Sequence, residues 1–154
     1  FLLELSFVPW HLLSLATFGL SSLFYSSAYL SAARCEFYAA VRAQVKAGEK
    51  YDVVVLDPPA FTKAHANMAS ACRGYKEIAL SAMRLLPAGG VLATHSCSYH
   101  MPEEVFVNTV LSAAQDLHRQ VRIITLRRQD IDHPVLAGYP ESHYLKSLWL
   151  QMLD

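Results

Sequence analysis

Tyr51-Asp-Val-Val-Val-Leu-Asp-Pro-Pro-Ala-Phe61 is the stretch of this sequence that decides the fold. The unbroken apolar run over 53–56 is typical of a short strand buried on both faces of a parallel sheet. Because proline has no N–H to donate to a strand ladder, Pro58 and Pro59 end this strand. The carboxylate of Asp57 is therefore expected at the carboxyl edge of an α/β sheet, where ligands bind. An acid that only caps a turn would give the same pattern.

A second strand end carries a thiol. Pro87-Ala-Gly-Gly90 interrupts a helix, and Val91-Leu-Ala-Thr-His95 follows as a second short apolar strand. Ser96-Cys-Ser98 comes directly after it. If the two strands are parallel neighbours, Asp57 and Cys97 face one crevice, and an acid beside a potential nucleophile is a catalytic arrangement. Taken alone, Cys97 is also typical of a small buried residue.

Length and composition indicate one folded domain. The chain has 154 residues, of which 53% are apolar and 17% charged, and this favours a globular domain with its own core over a disordered chain. The 13 basic and 13 acidic residues give a net charge of +0, so the overall charge does not support nucleic-acid binding. A local arginine cluster is either a phosphate-binding surface or a solvated face. Its members are Arg119, Arg122, Arg127 and Arg128.

Cysteines and histidines show no metal-binding pattern. Cys35, Cys72 and Cys97 are odd in number and contain no Cys-x-x-Cys pair. This argues against a disulfide framework or a zinc site and for a reducing, cytoplasmic location. His95 and His100 are close enough to Cys97 in sequence to influence its ionisation. No metal is predicted, because the seven histidines are scattered without ligand spacing.

The order of elements from residue 51 onward is predicted to be βαβαββ. The periodicity predicts strands over 52–56, 91–95, 121–127 and 143–152, and helices over 74–86 and 102–117. Pro102 suits the first turn of the second helix. The last two strands are joined by a loop without a helical stretch and are expected to run antiparallel. The polar loop over 62–73 would lie at the ligand edge, where it could close over a substrate.

Several short motifs in this region together resemble those of one enzyme family. In order, they are Asp57-Pro-Pro-Ala-Phe61, Gly74-Tyr-Lys-Glu77, Leu86-Pro-Ala-Gly-Gly90, Ser96-Cys-Ser98, Asp132-His-Pro-Val135, Tyr139-Pro-Glu141 and Tyr144-Leu-Lys146. Their order and rough spacing resemble the class I S-adenosylmethionine (SAM)-dependent methyltransferases that form 5-methylcytosine in 23S ribosomal RNA. The resemblance covers roughly residues 48–154. It is specific as a set, although each motif alone is weak.

The resemblance implies an α/β fold with a Rossmann-like class I methyltransferase sheet and an antiparallel final strand. Residues 1–154 would form a single SAM-methyltransferase-like domain. Within it, residues 51–154 are a well-matched catalytic half and residues 1–50 a divergent cofactor half. The separate small RNA-binding domain that usually precedes the catalytic domain in this family is not found within these residues.

The resemblance also implies roles for individual residues. Cys97 would be the nucleophile, and Asp57 the acid that holds the target base near SAM. A thiolate that adds to carbon 6 of cytosine makes the ring enamine-like, so that carbon 5 can attack the SAM methyl group. The site is therefore expected to lower the pKa of the thiol. The expected substrate-binding residues are Pro58, Pro59, Phe61, Ser96 and Ser98. The expected cofactor-binding residues are Asp57, Pro58, Ser6 and Trp10.

The first 50 residues depart from the family pattern. The segment 2–10, which corresponds to the family's first strand and the glycine-rich turn after it, contains no glycine, and Pro9 and Trp10 stand where a permissive backbone is needed. The next candidate strand, 22–25, is not followed by the acid expected to bind the cofactor ribose. Residues 28–47 then predict one helix that leads directly into the strand at 52. We therefore expect a shortened sheet that lacks its third strand, which would lie at an edge.

Three interpretations of function follow. The first is an active ribosomal RNA cytosine methyltransferase with SAM as cofactor, ribosomal RNA as partner and no membrane. The second is a degenerate methyltransferase-like domain, or a fragment, that has lost SAM binding. The third is the same fold acting on another substrate, against which Ser96-Cys-Ser98 argues. Residues 1–33 also loosely fit a membrane or signal segment, although Glu4, Pro9 and the lack of Lys or Arg before Arg34 do not. A further interpretation is that residues 1–33 come from an incorrect translation and do not fold well.

Overall fold

The computed structural model describes residues 2–6, 39, 41–58, 60–61 and 67–154 of the chain. Its helices and strands run in the order β1 (Leu2–Ser6), α1 (41–47), β2 (Val53–Asp57), α2 (Met68–Arg84), β3 (Val91–Ser96), α3 (Glu103–Asp116), β4 (Val121–Arg127) and β5 (Lys146–Met152). A short 3-10 helix, Pro140–Ser142, lies in the connection between β4 and β5. From β2 onward the predicted order of elements is confirmed.

The five strands form one mixed sheet in the order β1-β2-β3-β5-β4. β1, β2 and β3 are parallel, whereas β5 runs antiparallel to both β3 and β4. The β4–β5 connection contains no long helix, so the chain returns beside β4 instead of crossing over the sheet. The α/β fold class and the antiparallel final strand are therefore confirmed. The parallel pairing of β2 with β3 brings the carboxyl ends of these two strands to one edge.

The core lies between the sheet and the helices α2 and α3. The apolar positions of α2 recur at helical spacing, and Ala71, Tyr75, Ile78 and Ala82 are at most 1% exposed. In β2, Val54 and Leu56 are fully buried, whereas the alternate residues of that strand are only partly buried. The prediction of burial on both faces thus holds fully for one face of β2 and partly for the other.

Two predicted boundaries were wrong. Helix α2 begins at Met68, six residues before the predicted start at 74, so residues 68–73 are helical and not part of a loop. Ala71 and Tyr75 continue one buried face, and that burial outweighs the cost of Gly74 inside the helix, about 1 kcal/mol relative to alanine. Strand β5 begins at Lys146 instead of 143, because the chain leaves the 3-10 helix at Ser142 and residues 143–145 pair with no strand.

The predictions for residues 1–50 concern a segment that lies mostly outside the described part of the chain. The candidate strand over 22–25 and most of the helix over 28–47 lie outside it, whereas α1 falls within the predicted helix. Among the described strands, β1 forms the edge beside β2. The absence of a third strand therefore stays a prediction. Among the helices that the structure describes, none is long and apolar enough to span a membrane.

Candidate active site

Asp57 and Cys97 stand at the ends of neighbouring parallel strands. Asp57 is the last residue of β2, and Cys97 directly follows the last residue of β3. Both are exposed to solvent. They are close enough for the carboxylate of Asp57 to raise the pKa of the Cys97 thiol. The alternative that Cys97 is a small residue of the core is therefore wrong.

The surroundings of the Cys97 thiol raise its pKa. The partial burial of the sulfur is the largest cause, and the negative charge of Asp57 adds to it. Backbone hydrogen bonds from Cys97 itself and from Ala60, together with the charge of Lys146, act in the opposite direction. The expectation of a lowered pKa is thus wrong for the protein without substrate. Lys146, and not His95 or His100, is the cation that most favours the thiolate.

Lys146 connects this thiol to the loop that follows it. As the first residue of β5, it pairs with Ser96 across the β3–β5 ladder. Its side chain is 5% exposed and donates hydrogen bonds to the carbonyl oxygens of Ser98 and of Met101, the second at 2.7 Å. Burial lowers the pKa of Lys146. In the sequence this lysine stands out only as part of Tyr144-Leu-Lys146, because its contacts depend on how β5 inserts next to β3.

Tyr75 lies directly behind the two strand ends. Its hydroxyl is 2.8 Å from the hydroxyl of Ser96, and its ring packs edge-on against Phe61, with 4.6 Å between the ring centroids. Burial raises the pKa of Tyr75 to about 12, so the hydroxyl stays protonated. Phe61 and Ser96 therefore face the core instead of the open crevice, which differs from their expected place at the substrate surface. The sequence offered no signal for this role of Tyr75 beyond its place in Gly74-Tyr-Lys-Glu77.

The other predicted site residues are placed as follows. Pro58 is buried, and Ser98 is 4% exposed. The backbone of Ser6 pairs with Asp57 in the β1–β2 ladder. Pro59 and Trp10 lie outside the described residues. Within the described ranges, no group of three or more His, Cys, Asp or Glu side chains could hold a metal ion.

A cavity of about 310 Å³ is lined in part by Lys146, the residue whose charge acts on the thiol. Its polar and charged lining consists of Tyr99, Glu103, Arg128, Gln129, His143 and Lys146. Within it, Arg128 Nε donates a 2.9 Å hydrogen bond to the Glu103 carboxylate, and this pair lowers the pKa of Glu103. We call this cavity the β5 cleft. The sequence pattern does not predict this cleft, because its residues come from three separate segments of the chain, 99–103, 128–129 and 143–146.

The predicted arginine cluster divides into residues with different roles. Arg128 lines the β5 cleft, whereas Arg119 donates hydrogen bonds of 2.9 and 2.8 Å to the carbonyl oxygens of Met83 and Leu86. Arg119 also binds Asp154. Arg119 therefore satisfies carbonyl groups at the C-terminal end of α2. Arg122 and Arg127 are exposed on β4.

Comparison with known proteins finds close sequence relatives, although no family model matches the chain. Over 115 residues the chain is 45% identical to ribosomal RNA large subunit methyltransferase I of Aeromonas salmonicida, which covers 75% of this chain and 29% of that protein. It is 44% identical to the protein of the same name from Serratia proteamaculans, over 73% of this chain and 28% of that one. It is 41% identical to the protein of the same name from Pseudoalteromonas atlantica, over 80% of this chain and 33% of that protein. The chain thus spans about a third or less of the length of these relatives.

Solved structures share the fold. A protein assigned as a methyltransferase, SMU.776, complexed with SAH, aligns with a TM-score of 0.60 and 15% identity over 74% of this chain and 29% of that one. A protein from Streptococcus mutans assigned as a SAM-dependent methyltransferase aligns with a TM-score of 0.59 and 14% identity, over 74% and 28%. At this identity the likeness shows the fold alone. The predicted methyltransferase fold is confirmed, and the resemblance stated from the motifs is confirmed as similarity to large-subunit ribosomal RNA methyltransferases.

Proposed function

We propose, taking as premise that this chain is homologous to the ribosomal RNA large subunit methyltransferase I proteins, that it is the catalytic part of a SAM-dependent enzyme. In this proposal the enzyme forms 5-methylcytosine in large-subunit ribosomal RNA. The premise rests on 45% identity over 75% of the chain. The partner would be ribosomal RNA and the location the cytoplasm, where a thiol such as Cys97 stays reduced.

One observation carries the proposal. An exposed acid, Asp57, and an exposed thiol, Cys97, stand at the carboxyl ends of adjacent parallel strands, within reach of each other's charge. This is the edge at which open α/β sheets bind ligands. A flat base held there would meet a nucleophile and a hydrogen-bonding acid together.

The chain's own residues can then perform the following steps. The thiolate of Cys97 adds to carbon 6 of cytosine while Asp57 holds the ring through its polar edge. Electron density moves to carbon 5, which would accept the methyl group supplied by SAM as the methyl–sulfur bond of the cofactor breaks and its demethylated product leaves. A base then removes the proton from carbon 5, and the carbon–sulfur bond breaks to release the thiolate and the methylated ring. The charge of Asp57 raises the pKa of the thiol. A cytosine whose amino group donates a hydrogen bond to that carboxylate would therefore ease formation of the thiolate.

In this proposal the cofactor lies at the same edge of the sheet. SAM, when bound, supplies the methyl group as an electrophile. The register of the β1–β2 pair brings Ser6 beside Asp57 at the carboxyl ends of two adjacent parallel strands. Asp57 is exposed there and is the residue that would contact both base and cofactor. Pro58, Ser6 and Trp10 are the other residues proposed for the cofactor side.

A second candidate function comes from the sequence that follows β1. Phe7-Val-Pro-Trp10 contains no glycine where the backbone must approach the cofactor closely. A chain with such a turn could retain the fold while losing SAM binding.

Calorimetric titration of the purified chain with SAM, and in parallel with its demethylated product, separates these two functions. Under the first proposal we expect micromolar binding, about −8 kcal/mol. Mass spectrometry of nucleosides from ribosomal RNA incubated with the chain and SAM then checks for 5-methylcytosine. A cooperatively folded chain that binds neither ligand would contradict the enzymatic proposal and support the degenerate domain.

A further inference from the structure

We propose that the β5 cleft binds a phosphodiester group of the RNA strand next to the target nucleotide. This inference rests on the proposed function, since it assumes that the base handled by Cys97 belongs to RNA. It adds a contact to the sugar–phosphate backbone, which neither Asp57 nor Cys97 provides.

The cleft lies near the candidate nucleophile, and two of its lining residues show this. Tyr99, which lines the cleft, is two residues after Cys97. Lys146 lines it as well, and its charge acts on the Cys97 thiol. An RNA chain whose target base lies at the thiol must continue past the end of β3. The cleft offers a place for the next phosphodiester group of the RNA.

The charge in the cleft favours an anion. Two cationic side chains, Arg128 and Lys146, and one carboxylate, that of Glu103, line the cleft. Lys146 already donates to two backbone carbonyl oxygens, so Arg128 is the main donor for a bound anion. Arg128 uses its Nε and Nη2 groups on Glu103, at 2.9 and 3.4 Å. A guanidinium carries five N–H donors, so others remain for a second acceptor. The first residue of α3 also borders the cleft, and the positive end of a helix dipole adds to the attraction.

The size of the cleft and its lining favour a small anionic group. A volume of about 310 Å³ is at the lower end of the range for ligand pockets. Tyr99, Gln129 and His143 contribute polar groups, which suit a phosphate and its ribose better than an apolar ligand. Side-chain amides, phenols and arginines commonly bind phosphates and sugars in complexes with nucleic acids.

The test measures the binding of a fluorescein-labelled, single-stranded RNA octamer by anisotropy over a range of salt concentrations. Arg128→Gln should weaken binding about tenfold, the loss of one charge-assisted hydrogen bond. It should also reduce the slope of log K against log salt by about 0.7, as expected for one phosphate contact on a single strand. Glu103→Gln should strengthen binding, because it removes the carboxylate and frees Arg128.

Arg122→Gln is the matched control, because Arg122 is an exposed arginine near the start of β4, the strand that ends just before Arg128, and does not line the cleft. It should leave affinity and slope unchanged. Equal losses of affinity from Arg128→Gln and Arg122→Gln, or weaker binding by Glu103→Gln, would contradict phosphate binding in the β5 cleft. Neither result would contradict the proposed methyltransferase function. A wild-type chain that binds no RNA would also contradict phosphate binding in the cleft, and the SAM titration then decides the proposed function separately. Circular dichroism of each variant confirms that it is folded.

Discussion

The hydroxyl of Tyr75 lies 2.8 Å from the hydroxyl of Ser96, the residue that directly precedes Cys97. The same ring packs edge-on against Phe61, at the end of the segment that begins with Asp57. One buried side chain of α2 therefore contacts both segments of the candidate active site. Tyr75 is a positioning residue, because it holds the two segments together without facing the crevice.

Tyr75→Phe tests this link. The variant keeps both aromatic contacts but leaves the buried hydroxyl of Ser96 without this partner, so we expect a loss of about 1–3 kcal/mol in the free energy of unfolding. Urea denaturation measures it. Adding Ser96→Ala should recover part of the loss, since both members of the pair are then apolar. If the two single changes are additive, the hydrogen bond does not couple these residues.

Cys97→Ala should abolish methylation and leave folding unchanged. The thiol is exposed at a strand end, so its removal opens no cavity in the core. The assay is incorporation of labelled methyl groups into ribosomal RNA, with the melting temperature as the check on folding. Cys72→Ala, on α2, is the control and should retain activity. Methylation by the Cys97 variant would assign the nucleophile elsewhere.

Asp57→Asn should change two properties in opposite directions. Turnover should fall sharply, because a charge-assisted hydrogen bond to the base is lost. The free thiol should become more reactive, because Asp57 raises the pKa of Cys97 and the amide does not. The second effect is measured as the pH dependence of Cys97 alkylation by iodoacetamide, followed by mass spectrometry of its peptide. An unchanged alkylation profile would show that the two side chains do not interact.

Lys146→Met should shift the alkylation profile of Cys97 in the other direction. The positive charge of Lys146 lowers the pKa of the thiol, so its removal should raise that pKa and slow alkylation near neutral pH. The variant also loses the hydrogen bonds to Ser98 and Met101. Lys76→Met, which removes a more exposed lysine paired with Asp116, is the control and should leave the profile in place. Equal profiles for both variants would argue against the role of Lys146.

His95 makes stability depend on pH. Burial holds its pKa below the usual 6.5, and the charge of Asp57 only partly offsets this. As the pH falls, His95 therefore binds a proton at a higher pH in the unfolded chain than in the folded chain. This contribution to stability is fully present above about pH 6.5 and is lost as the pH falls through the lower pKa of the folded state. His95→Asn should reduce the difference in unfolding free energy between about pH 7.5 and 5.5. A variant with the full wild-type difference would assign the effect to other groups.

The sequence was sufficient to predict those parts of the fold that depend on local pattern. The apolar run before Asp57-Pro58 and the run before Ser96-Cys97 each gave a strand, because a short Val/Leu-rich segment bounded by turn residues has few alternatives. The antiparallel return of the last strand followed from the lack of a helix in the preceding loop. The start of α2 did not follow, because residues 68–73 become helical through burial of Ala71 against the rest of the core.

The sequence by itself singled out Asp57 and Cys97, because each stands at the end of a strand that local pattern predicts, and the family resemblance implied their roles as acid and nucleophile. Only the tertiary structure decided what surrounds them. The insertion of β5 between β3 and β4 places Lys146 beside the thiol and creates the β5 cleft with Arg128 and Glu103. These residues are far apart in the sequence, and no local periodicity encodes their contact. The pKa of Cys97 follows from the same arrangement, since burial and neighbouring charges are properties of the packed chain.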